Sequence, residues 1–212
     1  ASLCAILAVR DAKALEPYAV YRTPWAEATA AFAAELKRAG VRASYGHPTL
    51  YVLHPHLMLM MANHEYAAKL DDAASVARAT AQAREENFRI VSALARLGGP
   101  WRDVRLVATA EWLGLRTARR IHGRATVTKD DLIRGATYPD GVCTAHFAVD
   151  IHRADDGVSP IDNRGVRTKP YQIPLGALWA RDVENLGMAG PCLPGDFVSH
   201  ASYRVTGVAV AT

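Results

Sequence analysis

The sequence predicts an α/β protein with α+β character in its longer N-terminal part. Strands and helices alternate over the first hundred or so residues, whereas from Trp101 the apolar period shortens to that of strands and turns. The segment 185–212 then reads as strand, glycine-containing loop and helix.

The apolar run Ser2–Val9 is the first strand. A helix follows from Thr23 to about Arg38, with Thr23 as N-cap, Pro24 in the first helical position and Gly40 as the stop. Its apolar face is Trp25, Ala28, Phe32 and Leu36, three or four residues apart. A turn at Tyr45–Pro48 leads to a second strand, Thr49–Leu53. His54, His56 and His64 then flank the run Leu57–Met61. Pro55 interrupts the first two, and no cysteine or paired carboxylate stands at ligand spacing, so packing or a pocket wall is preferred to a metal site. A long helix runs from about Asp72 to Leu97, its polar side (Arg78, Arg84, Glu85, Glu86, Arg89) expected in solvent, and Gly98-Gly99-Pro100 ends it.

Val104–Thr109 is a short strand, and Leu115–Ile121 alternates enough to be another, placing Arg116 and Arg120 on one face. Arginines there serve either ion pairs or a ligand bearing an anion or carbonyl. Thr128 caps a helix with Asp131 in its first turn. Residues 146–152 alternate as a strand with His146, Ala148, Asp150 and His152 on one side. The loop Arg153–Lys169 is polar, but its acids lack the spacing and closing Glu of an EF-hand. Tyr171 begins a short extended piece, where its hydroxyl either meets a ligand or the ring covers the core. Leu186–Gly190 reads as a buried strand whose glycines admit a close neighbour. A helix starting near Arg204, with Val205, Val208 and Ala209 at helical spacing, presents free N–H groups to the preceding loop.

Composition narrows the function classes. The 212 residues are 50% hydrophobic and 22% charged, enough for one substantial core. No apolar run nears the roughly 18 residues needed to cross a bilayer, and no signal peptide is visible. Three well-separated cysteines, Cys4, Cys143 and Cys192, favour a reducing compartment, the cytoplasm, over a disulfide scaffold. A formal charge of +4, spread through apolar segments, speaks against a nucleic-acid surface.

Four blocks, in order, carry a resemblance. They are Leu113–Arg116 with Arg119–Gly123, then Asp150-Ile151-His152, then Pro170–Pro174, and last Asn185-Leu186, Ala189-Gly190, Ser199–Arg204 and Gly207. Together, over about residues 105 to 212, the chain resembles the FAD-dependent oxidoreductase family, built on a glutathione-reductase-like FAD fold. Where members often carry Arg after the strand glycine, this chain has Pro191.

The resemblance implies a partial FAD-binding fold with a mixed sheet and a helical insertion at 72–97. Residues 1–180 would be a substrate or cap region, and 181–212 the C-terminal part of the FAD domain. It implies hydride transfer to FAD, with Gly190, Arg204, Val205, Thr206 and Gly207 contacting the cofactor and Arg116, Arg120 and His122 the small-molecule substrate. His152, then Tyr171, would move the substrate proton; a histidine satisfied inside a core is the alternative for each imidazole. The G-x-G-x-x-G turn that holds the FAD pyrophosphate is absent from the sequence. An N-terminal FAD-binding chain or segment is therefore an expected partner, as it is for ends that fall inside a strand and a helix. The strands Ser2–Val9 and Leu186–Ala189 are expected to need covering from outside. The alternative is a non-catalytic subunit that docks onto a flavoprotein.

Overall fold

The computed structural model describes residues 1–66, 68–69, 71–116, 119–152 and 162–212. It is an α/β protein whose described residues form two compact units, one ending at Leu115 and one beginning at Arg116. The packing boundary is thus at 115/116 rather than 180/181. The second unit's core takes Val127, Leu132, Tyr171 and Ile173 together with Leu193, Ala201 and Tyr203, and cutting at 180 would divide it.

In the first unit, β1 (Ala5–Ala8), β2 (Thr49–His54), β3 (Leu57–Met61) and β4 (Arg105–Thr109) form one sheet in the order β2-β3-β1-β4. Every neighbouring pair is antiparallel. The two-residue turn Pro55-His56 between β2 and β3 enforces this, because a parallel pair needs a long crossover. Period-two alternation buries Ala5, Leu7, Met58 and Met60 on one face with Leu50. Two helices complete the core: α1 (Trp25–Arg38), through Phe32 and Leu36, and α2 (Ala73–Leu97), through Ile90, Val91 and Leu94. The first strand is central, paired on both edges, so the expectation that it lacks covering strands is corrected.

Several local expectations are also revised. Pro24, not Thr23, is the N-cap of α1, and Thr23 Oγ1 instead donates to the Glu16 carbonyl. Trp25 is half exposed, against the ring of His47. Glu86 leaves the solvated face of α2: it is buried, with Oε1 and Oε2 accepting from Ser44 N and Oγ, each at 2.7 Å. Met58 and Met60 are core residues. His56 Nδ1 lies 2.9 Å from the Arg10 carbonyl, and His64 stacks at 4.2 Å from Tyr45.

In the second unit, β5 (Gly141–Ala145) and β6 (Tyr171–Pro174) make an antiparallel pair. The short helix α3 (Lys129–Arg134) begins as expected, with a capping box in which Thr128 and Asp131 serve each other's backbone N–H. Parallel contacts among the described residues are single bridges, Ala19–Leu50 and Val20–Thr23 in the first unit and Val127–Gly195 in the second.

Three expected elements are absent. The described part of 115–121 is irregular, and residues 146–150 form no ladder; only Ile151 bridges Asp162. Alternation survives only from Ala148 onward, with Val149 and Ile151 buried; before it His146 and Phe147 are both exposed. Period two thus reports an extended backbone, not a pairing partner. Leu186–Gly190 is likewise not a strand; Gly187 makes one bridge to Trp179 and Gly190 opens a 3₁₀ turn. The C-terminal helix is divided into α4 (Phe197–Tyr203) and α5 (Thr206–Ala211), and Arg204 is the C-cap of α4. Asp196, whose Oδ1 accepts from Ser199 N, is the N-cap that the sequence reading passed over. Asp155-Asp156-Gly157 lie outside the described residues.

Candidate active site

The tethers of α4 organise the second unit. Ala201 O accepts from Asp150 N, Ser202 Oγ donates to the Phe147 carbonyl, and the Arg204 guanidinium donates to the carbonyls of Asp150 and, at 3.0 Å, Arg116. One short helix therefore holds the stretch 147–150 in place without a sheet.

These tethers bring Arg116, Asp150, His152 and Arg204 together. His152 Nε2 is 3.0 Å from Asp150 Oδ1 and 3.1 Å from Arg116 Nη1, while Arg116 Nη1 is 3.5 Å from Asp150 Oδ2. The side chains are 10% (His152), 19% (Asp150) and 28% (Arg116) exposed, so the group is sheltered but reachable. Burial pushes the Asp150 carboxyl up. The His152 hydrogen bond and the charges of His152, Arg116 and Arg204 outweigh this, and hold it below its usual range. Burial depresses the Arg204 pKa, against the pull of Asp150. A neutral His152 accepts at Nε2 from Arg116, and a protonated one donates there to Asp150. The same nitrogen is served in both protonation states, as a proton-transfer group requires.

The other anticipated residues go elsewhere. Tyr171 is fully buried and its hydroxyl lies 2.9 Å from Ser202 Oγ. Burial raises its pKa to about 12. It is a positioning residue, acting through Ser202 on Phe147, rather than one facing substrate. Gly190 has φ +66°, and a Cβ there would press on Ala209 Cβ at 3.3 Å, so the close neighbour it admits is α5. The Arg204 guanidinium is turned inward to its two carbonyls. By contrast, Thr206 and Gly207 are exposed, Val205 offers no side-chain cap, and a Cβ on Gly207 would meet nothing within 4 Å. Arg120 and His122 line a separate polar cavity.

His200 also belongs to the neighbourhood of α4. It is 1% exposed, with Nε2 3.1 Å from the Pro191 carbonyl and Nδ1 without a partner. Burial lowers its pKa to about 4, further lowered by Arg120 and Arg204 against the Pro191 hydrogen bond. The sequence placed Asp150 on the same side as His152 but gave it no role in the site, although its position two residues before His152 on an alternating stretch was the available signal. Nothing local marked Ser202.

Among the described residues no group of three or more His, Cys, Asp or Glu is placed to hold a metal, and no helix is long and apolar enough to cross a membrane. The described thiols of Cys4, Cys143 and Cys192 are unpaired with one another.

The second unit thus holds an Arg116–Asp150–His152 cluster and, just after Arg204, a helix start without a side-chain cap. A family model described as FAD dependent oxidoreductase matches residues 8–212, and the chain belongs to that family. FAD is the cofactor of the family. No curated protein and no solved structure matches the chain.

Residues of this chain fit one end of FAD. Thr206 and Gly207, the first residues of α5, are exposed, and a Cβ on Gly207 would meet nothing within 4 Å, so the backbone donors of the helix start have room for a polar ring edge. With only six residues, α5 offers those donors directly more than it offers a macrodipole. Neither the sequence nor the described strands hold a Gly-rich strand–turn–helix for the diphosphate.

Proposed function

We propose that this chain provides the substrate side and the isoalloxazine end of an FAD-dependent oxidoreductase acting on a small molecule. The observation that carries the proposal is the meeting of Arg116, Asp150 and His152 around one imidazole nitrogen. FAD, when bound, would supply the hydride acceptor. His152 takes or returns the accompanying proton at Nε2. Asp150 stabilises the protonated ring, Arg116 supports the neutral one, and Arg204 holds the backbone that carries the pair. Val205, Thr206 and Gly207 bind the cofactor through backbone donors. The diphosphate half is bound by an N-terminal FAD-binding chain or segment acting as partner, in the cytoplasm.

A docking subunit without catalysis is the second reading, favoured by Pro191, whose side chain cannot replace an arginine's contacts. Thr206→Pro separates the two. Position 206 is the first residue of α5, and Val205 already has the extended conformation (φ −74°, ψ 152°) that a following proline demands. The substitution removes one donor and leaves the fold intact. The flavin-loaded enzyme should bind FAD at least about fivefold more weakly, since one hydrogen bond is worth roughly 1 kcal/mol. Unchanged flavin affinity in a normally folded variant would overturn the contact and favour the docking subunit.

A further inference from the structure

The second unit contains a polar cavity of about 440 Å³ lined by Arg120, His122, Thr126 and Arg181, with Gly123 and Gly195 in its wall. We infer that this cavity is an oxyanion-binding site that takes the acidic group of a small molecule, the carboxylate of an organic acid or the phosphate of a phosphorylated one.

The charge balance around the cavity points to an anion. Arg181 has one carboxylate neighbour: its Nε and Nη2 reach Asp182 at 2.8 and 3.1 Å, while Nη2 also lies 3.3 Å from His122 Nδ1. Those contacts leave Nη1 uncommitted. Among the described residues Arg120 has no carboxylate within ion-pair distance, and its one hydrogen bond is a long one, 3.5 Å from Nη1 to the carbonyl of Asp196. The Asp196 carboxylate makes no ion pair with Arg120 among the described residues; its Oδ1 accepts from Ser199 N and its Oδ2 from Lys129 N. Of the two guanidinium groups only that of Arg181 is thus paired with a carboxylate among the described residues, and the Thr126 hydroxyl and the exposed His122 ring also line the cavity.

The remaining donors suit planar or tetrahedral oxyanions, which guanidinium forks engage through paired hydrogen bonds. Water would otherwise satisfy them, so the pairing adds most where the cavity wall limits solvent. A volume of about 440 Å³ suits a small organic molecule and not a folded partner. The site stands without the redox assignment, since no flavin contact enters it.

The test is thermal stability of the full chain, with its partner where one co-purifies, in succinate, inorganic phosphate or glycerol, with sodium chloride balancing ionic strength. Succinate or phosphate should raise the melting temperature saturably while glycerol at equal concentration does not. Stabilisation by succinate alone assigns a carboxylate ligand, and by phosphate alone a phosphorylated one. Arg120→Gln and Arg181→Gln should each weaken binding about tenfold or more, the loss expected of a charged hydrogen-bond partner, and Arg120→Lys should restore it only in part. Arg119→Gln, at an exposed position outside the cavity lining, should bind like the parent. No anion effect beyond that of sodium chloride would overturn the inference, as would equal affinity in Arg120→Gln. Both results are independent of flavin binding, so they separate this site from the flavoenzyme proposal.

Discussion

His152 Nε2 stands 3.0 Å from Asp150 Oδ1, although the stretch that carries them belongs to no strand ladder and has only the single bridge of Ile151 to Asp162. Their alignment comes from α4, whose residues Ala201 and Ser202, with the capping Arg204, bind the backbone of 147–150 from the side. The placement of this pair is thereby decided by contacts about fifty positions away in the chain.

His152→Ala in the flavin-loaded enzyme should slow flavin reduction by substrate by about two to four orders of magnitude, the usual worth of a positioned acid or base. The oxidised flavin spectrum should be unchanged. Asp150→Asn should lower the rate less and shift its pH profile toward lower pH, because the protonated imidazole loses the carboxylate that stabilises it. Wild-type reduction kinetics in His152→Ala would remove this residue from the mechanism.

Arg204→Met and Tyr171→Phe distinguish tethers from chemistry. Removing the guanidinium leaves the Arg116 and Asp150 carbonyls without their donor and weakens compensation of the buried Asp150 charge. Urea unfolding should show a loss of about 2–4 kcal/mol. Tyr171→Phe removes only the contact to Ser202, so a loss of about 1 kcal/mol is expected with flavin reduction almost intact. A Tyr171→Phe rate defect as large as that of His152→Ala would return Tyr171 to the catalytic group.

His200 sets a pH dependence of stability. Its folded pKa, about 4, lies below the ordinary 6.5, so between those values the unfolded chain binds a proton that the folded chain does not. Stability from this residue is complete above about pH 6.5 and falls with pH down to about 4, by roughly 3 kcal/mol in total. In His200→Gln, urea unfolding between pH 7 and 4.5 should lose most of that slope. The same slope in the variant would assign it to other groups.

The helices α1 and α2 were legible from local pattern because an amphipathic stripe and its stop signals lie within one segment, and α3 because a capping box spans four residues. The family blocks likewise named Arg116, His152 and Arg204 from the order of residues alone.

Pairing, burial and direction are non-local, and only the tertiary structure decided them. Alternation at 146–152 was visible, but whether another strand lay beside it depended on chain far away, and α4 lies there instead. Nothing near Glu86 shows that Ser44 will meet it, and nothing near Tyr171 shows that Ser202 will take its hydroxyl inside the core. The pattern of a segment determines its backbone; the contacts that turn Arg204 inward and leave Thr206 and Gly207 open arise only once the second unit has packed.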